Sequence, residues 1–159
     1  MVVDKKEVLK KFRPTIIALT ILGDFNVCGS IGLFLSGIID RMPSDIDICV
    51  DDYEAWVDHC STLFEIDFLG YEEEREHFQF SIKGVKVDVF GVDKLDYDKI
   101  DGIRVSKPNF SIEAKESYLL NNFTKEKFDK MSDKQKFSHI KHLFDIRSYY
   151  EWLAKNKSL

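Results

Sequence analysis

The segment Asp45-Ile46-Asp47-Ile48 constrains the fold most strongly, because polar and apolar residues alternate strictly along it. Alternation at period two is typical of a β-strand, on which residues two apart point to the same face. Asp45 and Asp47 would therefore stand side by side, and neighbouring carboxylates repel each other unless a positive charge lies between them. Because hard divalent cations prefer oxygen ligands, the pattern predicts a metal site on this strand.

A third carboxylate fits the same site. Residues 85–90 alternate in a similar way, with Asp88 between Val87 and Val89. If this strand lies next to that of Asp45 and Asp47, all three acids can converge on one or two Mg²⁺ ions. Metal ions held in this way bind a triphosphate, neutralise developing charge and lower the pKa of an attacking hydroxyl. The three carboxylates are therefore candidates for both metal binding and catalysis.

The turn before the acidic strand is a candidate phosphate site. The sequence predicts a strand over 25–28, a turn at Gly29-Ser30 and a short helix over 31–39. The first amides of a helix lack internal partners and carry partial positive charge, which suits a phosphate. A plain helix cap without any ligand would have the same local sequence.

Arg41 lies between this helix and the acidic strand. It can contact a phosphate or the region of Ser44, or it can pair with Asp45 or Asp47, and the residues alone favour neither. Pro43 excludes the helical conformation for the preceding residue, so the helix is expected to end before the strand begins.

Together these residues resemble the nucleotidyltransferase superfamily, whose fold is that of the DNA polymerase β palm. The resemblance covers roughly residues 26–91 and rests on a Gly-Ser turn, a short helix, an Asp-x-Asp strand and a later lone Asp on a strand. The segment Arg41-x-Pro43-Ser44-Asp45-Ile46-Asp47 is similar to the minimal nucleotidyltransferases and their toxin–antitoxin and abortive-infection relatives. All three acidic positions are filled, which favours an active member.

The resemblance implies an α/β (α+β) fold, with a mixed β-sheet flanked by helices and further helices at the C-terminus. It also implies Mg²⁺-dependent transfer of a nucleoside monophosphate from a nucleoside triphosphate, for example ATP, to a hydroxyl, with release of pyrophosphate. Asp45 and Asp47 would bind two Mg²⁺ ions, with Mn²⁺ as an alternative. Asp88 would bind the catalytic ion and accept the proton of the attacking hydroxyl.

The resemblance further implies which residues bind the nucleotide. Gly29 and Ser30 would hold the β- and γ-phosphates, and Lys115 would face the nucleotide from a later helix, although an exposed helix lysine explains that position equally well. The full candidate set is Gly29, Ser30, Arg41, Ser44 and Lys115. The acceptor stays open between a protein, an RNA end and a small hydroxylated molecule. Because the chain is small, a large acceptor would be bound by a protein partner or by a homodimer.

Other acidic and histidine clusters have simpler explanations. Helix capping by Asp51-Asp52, before a helix over 53–64, is favoured over metal binding. The glutamate-rich run over 72–76 is interpreted as a solvated loop. His139 and His142 are interpreted as surface or phosphate-side residues, because two ligands without a third make a weak metal site.

Periodicity predicts the remaining elements. A helix over 4–22 would be interrupted near Pro14. Strands are expected over 65–70, 77–83 and 85–92, with the last two joined as a hairpin at Lys83-Gly84. Residues 95–102 are predicted as a loop and 103–105 as a short edge strand. Two helices follow, one from Ser111 as N-cap and reaching Phe123, and one over 134–154. The apolar face of the last helix would comprise Phe137, Ile140, Phe144, Tyr149, Tyr150, Trp152 and Leu153.

Length and composition indicate one nucleotidyltransferase-like domain over 1–159, with a core over about 24–109 and a helical part over about 110–159. No apolar run approaches the roughly 20 residues needed to cross a membrane, and the N-terminus lacks the apolar core of a signal peptide. The 3 cysteines form no metal-binding pattern. They are expected to be reduced core residues, which indicates a cytoplasmic protein.

The net charge of −5 is distributed unevenly. Residues 40–102 carry 18 acidic and 6 basic side chains, a local charge of −12, whereas residues 123–159 carry 9 basic and 5 acidic ones, a local charge of +4. A strong basic nucleic-acid footprint is therefore absent. The basic C-terminal third can guide a phosphate-bearing substrate, or it can simply present solvated helix faces.

Two other functions compete with nucleotidyl transfer. An Asp-x-Asp pair also occurs as the metal site of sugar-nucleotide glycosyltransferases, but 159 residues hardly accommodate such an enzyme, and Gly29-Ser30 and Asp88 would go unexplained. A catalytically silent protein with the nucleotidyltransferase fold, acting as a binding or inhibitor module, is the stronger alternative. Nucleotide transfer that depends on the acids would distinguish the enzyme from the module.

Overall fold

The computed structural model describes residues 2–63, 66–72, 75–122 and 124–157. The chain forms two compact units, Met1–Lys107 and Pro108–Leu159. The boundary lies next to the predicted junction between the core and the helical part. The predicted ends of elements at Phe64, Glu65 and Phe123 lie outside the described residues, as do Glu73 and Glu74.

The first unit combines helices with a mixed sheet. In chain order its elements are α1 (Lys5–Leu19), β1 (Asn26–Cys28), α2 (Gly29–Leu35), β2 (Ile46–Val50), α3 (Tyr53–Thr62), β3 (Ile66–Glu72), β4 (His77–Ile82), β5 (Val85–Gly91), β6 (Tyr97–Ile100) and β7 (Ile103–Ser106). The described strands form one seven-stranded sheet in the order β3-β4-β5-β2-β1-β7-β6.

The sheet contains two parallel and four antiparallel strand pairs among the described residues. β2 pairs with β5 in parallel, and β1 pairs with β7 in parallel. The β1–β2, β3–β4, β4–β5 and β6–β7 pairs are antiparallel. The predicted fold, a mixed sheet accompanied by helices, is confirmed, and so is the β4–β5 hairpin. Lys83 and Gly84 both have positive φ, 50° and 78°, as a tight two-residue hairpin turn requires.

The two faces of the sheet differ in polarity. Alternate strand residues point to opposite faces, and Val27, Ile48, Phe78 and Val89 share a fully buried apolar one. Helix α3 packs on this face, since the Tyr53 ring meets that of Phe78 edge-on at 5.6 Å. The opposite face carries the polar residues of the central strands. The apolar core therefore covers one face of the sheet, and candidate functional side chains lie on the other.

The second unit is helical and contains α4 (Pro108–Asn122), α5 (Lys125–Asp129) and α6 (Asp133–Lys157). Helix α4 begins at Pro108, three residues earlier than predicted, because proline suits the first helical position. Ser111, the predicted N-cap, lies inside this helix and is buried.

The predicted apolar face of α6 is wrong at Phe137, Ile140, Phe144 and Tyr150, whereas Tyr149, Trp152 and Leu153 are partly buried. Phe137, Ile140 and Phe144 are 40–59% exposed, whereas His139 and Asp145 are buried at 1%. Polar pairing between α4 and α6 therefore decides which side of α6 is covered, and periodicity of apolar residues could not reveal it.

Three predictions in the first unit also need correction. Helix α1 continues through Pro14, because burial of Phe12, Ile16 and Leu19 on both sides of the proline outweighs one missing hydrogen bond. Helix α2 spans Gly29–Leu35 rather than 31–39. The predicted loop over 95–102 contains β6, a strand of mostly exposed polar residues, and β7 lies between β1 and β6 instead of at the sheet edge.

No helix in the described ranges is both long and apolar enough to cross a membrane.

Candidate functional site

Two of the predicted acidic residues lie side by side in the centre of the sheet. In the parallel β2–β5 pair, Asp47 is in register with Asp88. Residues in register on neighbouring strands point to the same face, with strands about 4.8 Å apart. Asp45 precedes β2 by one residue and is half-buried. The predicted adjacency of the two acidic strands is therefore observed, on the polar sheet face.

The backbone of Gly29 lies close against the side chain of Asp47. Cys28 is the antiparallel partner of Asp47, so the turn that follows β1 passes directly beside the carboxylate. Gly29 has φ +62°, and a Cβ atom added there would lie 2.8 Å from the Asp47 Cγ atom. A side chain at position 29 would thus collide with the acid, and only glycine permits both the left-handed backbone and the close approach.

Arg41 reaches the same turn. Its Nη2 atom donates a hydrogen bond of 3.0 Å to the Ser30 Oγ atom. Two of the predicted nucleotide-binding residues are thereby brought together at the start of α2. Ser44, a third, is exposed just before β2.

Asp88 is the acceptor of a hydrogen-bond network that the sequence prediction missed. His77 and Gln79, both on β4, contact the same Asp88 oxygen, Oδ1, from their Nε2 atoms at 2.9 and 2.7 Å. The other ring nitrogen of His77, Nδ1, lies 2.8 Å from the Glu72 Oε1 atom. The His77 ring also stacks on Phe90 with centroids 4.4 Å apart and planes 2° apart. Imidazole, amide and carboxylate thus form one connected group.

The charges of this network are set by its geometry. Arg75 donates two hydrogen bonds to Glu72, and these, with the contact to His77, outweigh desolvation and lower the Glu72 pKa to about 2. Burial is the largest single influence on His77 and lowers its pKa, but the hydrogen bonds and charges of Asp88 and Glu72 together raise it above 6.5. A carboxylate oxygen accepts hydrogen bonds, so both ring nitrogens donate when His77 is protonated.

This network corrects the solvated-loop interpretation at Glu72. Glu72 belongs to β3 and is tied to Arg75 and His77, although its side chain is 47% exposed. The sequence did contain a usable signal. A two-residue turn at 83–84 fixes the hairpin register and places Gln79 opposite Asp88 and His77 opposite Phe90. Both β4 residues therefore had to share the face of the acid.

The donor chemistry of the site fits Mg²⁺. Asp47 and Asp88 present carboxylate oxygens on one face, and both side-chain donors to Asp88 bond Oδ1 rather than Oδ2. Hard oxygen ligands of this kind suit Mg²⁺ or Mn²⁺. Within residues 2–63, 66–72, 75–122 and 124–157, no three His, Cys, Asp or Glu side chains are already gathered around one point.

Lys115 is part of a separate cluster in the helical unit. Its Nζ atom lies 3.3 Å from the Asp145 Oδ2 atom and 3.0 Å from the His142 Nδ1 atom. The Lys115 side chain is 11% exposed and that of Asp145 is 2% exposed, so the interpretation as an exposed lysine is wrong. His139, predicted as a surface or phosphate-side residue, is buried, which contradicts the surface alternative, and its ring lies 5.1 Å from that of Tyr118.

The other predicted acidic cluster has the simpler role. Asp52 is the N-cap of α3, and its Oδ1 atom accepts a hydrogen bond of 3.2 Å from the Ala55 amide. The capping prediction is therefore confirmed for Asp52.

Comparison with known proteins supports the fold. No protein-family model matches the sequence, and no curated protein matches it. Among solved structures, the chain is similar to TM1012 from Thermotoga maritima, provisionally described as a nucleotidyltransferase, with a TM-score of 0.50, 19% identity and 97% of each chain covered. At this identity, the similarity shows that the two chains share a fold.

Two Helicobacter pylori proteins are more distant. JHP933 gives a TM-score of 0.38 at 14% identity, covering 72% of this chain and 57% of its own. A second protein, provisionally described as a nucleotidyltransferase, gives 0.39 at 13% identity, covering 71% and 59%. Similarity at this level supports no inference about the chain.

Proposed function

We propose that the chain is a Mg²⁺-dependent nucleotidyltransferase that transfers a nucleoside monophosphate from a nucleoside triphosphate to a hydroxyl and releases pyrophosphate. The observation that carries the proposal is the register of Asp47 with Asp88 on adjacent strands, next to Gly29 and Ser30, in a chain that shares its fold with TM1012, which is provisionally described as a nucleotidyltransferase. The toxin–antitoxin and abortive-infection resemblance, and the nucleotide and acceptor, remain predictions.

Each residue has a defined role in this proposal. Asp45, Asp47 and Asp88 would bind divalent ions, which when bound neutralise triphosphate charge and favour ionisation of the attacking hydroxyl. Ser30 and Arg41, joined by their hydrogen bond, would contact the phosphates at the start of α2. The Asp88 carboxylate would also accept the proton of the attacking hydroxyl.

Lys115 keeps its predicted role as a nucleotide ligand within the proposal. Its ion pair with Asp145 would fix the ammonium group, so that binding a phosphate costs less side-chain entropy. A protein partner or a homodimer would complete the site for a large acceptor.

The test is an assay for transfer of labelled nucleotide to any acceptor in a cell extract. Purified protein is incubated with Mg²⁺, each of the four α-³²P-labelled nucleoside triphosphates and a cell extract, which is then separated into protein, RNA and small-molecule fractions. The proposal predicts label in one fraction and pyrophosphate release, both lost with Asp47→Asn. Absence of label from every fraction with every nucleotide would contradict it.

A silent binding module is the second candidate. The observation that favours it is that Asp88 is already engaged by His77 and Gln79, while no three potential ligands are gathered in the described ranges. Such a protein would bind a nucleotide or a partner without pyrophosphate release, and its affinity would not depend on Mg²⁺.

A further inference from the structure

His77 is the centre of a hydrogen-bond chain that runs from the surface to the candidate metal site. Arg75 holds Glu72 through two bonds, Glu72 holds His77 Nδ1, and His77 Nε2 holds Asp88. The exposed fraction falls along this chain, from 55% for the Arg75 side chain to 9% for His77 and 11% for Asp88. The network therefore leads inward and ends on a carboxylate of the site.

The position of the imidazole is strongly determined. Both ring nitrogens are bonded to carboxylates, and one ring face lies flat on Phe90. The ring therefore cannot rotate without breaking a buried hydrogen bond to a carboxylate. Its Nε2–H group is consequently a fixed donor.

The side chains of His77 and Gln79 both bond the same oxygen of Asp88. Gln79, the cross-strand partner of Asp88, reaches the same Oδ1 atom as His77. A carboxylate gripped through one oxygen by two donors on the neighbouring strand has its χ angles defined, so the orientation of its second oxygen, Oδ2, is defined too. Hydrogen bonds of this kind to a metal-binding carboxylate typically matter 10–100-fold for affinity.

We propose that His77, assisted by Gln79, is a positioning residue that fixes the Asp88 carboxylate through Oδ1 and presents Oδ2 to a divalent metal ion. The inference rests on the proposed function, because it takes Asp88 as a metal ligand. It assigns His77 no contact with nucleotide or metal. Glu72 and Arg75 complete the device by fixing the orientation of the imidazole.

Two amide variants separate this role from a merely structural one. In His77→Gln the amide nitrogen occupies the place of Nε2 and can still donate to Asp88. In His77→Asn it occupies the place of Nδ1, facing Glu72, and Asp88 loses the donor. Both variants remove the imidazole, its charge and its stacking on Phe90, so a structural role would affect them alike.

The measurement is Mn²⁺ binding to the full chain, followed by the electron paramagnetic resonance signal of free Mn²⁺. We expect His77→Gln to bind within about 3-fold of the unmodified protein and His77→Asn to bind roughly 10–100-fold more weakly. Equal affinity of the two variants, whether reduced or unchanged, would overturn the inference. If the His77 variants do not fold, Gln79→Met, which removes the second donor, is expected to weaken binding several-fold, and unchanged affinity would overturn it.

A control separates failure of the inference from failure of the proposed function. Asp47→Asn is expected to abolish Mn²⁺ binding, because it removes a ligand charge without changing shape. If the unmodified protein binds Mn²⁺ and Asp47→Asn does not, equal behaviour of the His77 variants rejects the positioning role alone. If the unmodified protein fails to bind Mn²⁺, the proposed metal-dependent function is rejected, and the positioning role with it.

Discussion

Gly29 has no room for a side chain, whereas Gly37, which has a similar backbone conformation, does. A Cβ atom at Gly29 would press on Asp47, whereas one at Gly37, also at positive φ, +77°, would meet nothing within 4 Å. In each alanine variant the free energy of unfolding falls by about 1–2 kcal/mol, because alanine disfavours the left-handed backbone conformation. We expect Gly29→Ala to lower the free energy of unfolding by about 1–3 kcal/mol more than Gly37→Ala, because of the clash. Urea denaturation of both variants measures this, and equal losses would show that Asp47 does not pack on the turn.

His77 makes stability depend on pH in a defined direction. Its pKa is raised in the folded protein, so the folded state binds the proton more tightly than the unfolded one. The stabilisation is fully present below the unfolded pKa of about 6.5 and is lost as pH rises through the higher folded pKa. Glu72, with a pKa of about 2, stays ionised throughout this range.

The prediction concerns the difference in unfolding free energy between the metal-free protein and its His77→Gln variant. We expect this difference to be larger at pH 5.5 than at pH 9, measured by urea denaturation in the presence of a chelator. A difference that is constant with pH would mean that folding does not raise the pKa of His77, and one that grows with pH would mean that folding lowers it.

At the scale of elements, α4 and α6 are joined by a buried ion pair. Removing one partner leaves the other charge buried, which costs about 3–5 kcal/mol, whereas replacing both with apolar residues is much less harmful. We therefore expect Lys115→Met and Asp145→Leu each to be strongly destabilising and the double variant to lose much less than their sum. A double-mutant cycle by chemical denaturation tests this, and additive losses would indicate that the pair is not coupled.

The hairpins show what sequence patterns can and cannot reveal about elements. The β4–β5 hairpin was predictable because alternating apolar residues flank Lys83-Gly84. The β6–β7 hairpin was missed because β6 is almost entirely polar and exposed, so no burial pattern marks it. Its turn, Asp101-Gly102, with φ values of 52° and 78°, was nevertheless a strong local signal.

The candidate site was predictable to a similar extent. Alternation located the acidic pair and Asp88, since carboxylates interrupting apolar strands are conspicuous. The placement of His77 and Gln79 beside Asp88 follows from the register of the predicted hairpin, whereas the pairing of Lys115 with Asp145 depends on which helices become neighbours. Sequence spacing along one element carries no information about such contacts.

At the scale of the whole molecule, all 3 cysteines lie in the interior, with Cys28, Cys49 and Cys60 at most 3% exposed. Burial raises the pKa of the Cys60 thiol to about 12, so its reactive thiolate is scarce at neutral pH. We expect a thiol reagent at pH 8 to modify the native protein only at its rate of unfolding, and all three thiols to react at once in urea. Rapid modification of one equivalent in the native state would show that part of the first unit opens independently.

The central claim is that Asp47 and Asp88 form a metal-dependent nucleotide site, and isothermal titration tests it most directly. Non-hydrolysable analogues of the four nucleoside triphosphates are titrated into the protein with and without Mg²⁺, beside an Asp47→Asn variant of confirmed native circular dichroism. The account predicts Mg²⁺-dependent binding of at least one analogue, weakened more than roughly 10-fold in the variant, since a metal ligand is lost. Binding of no analogue, or equal binding by the variant, would contradict it.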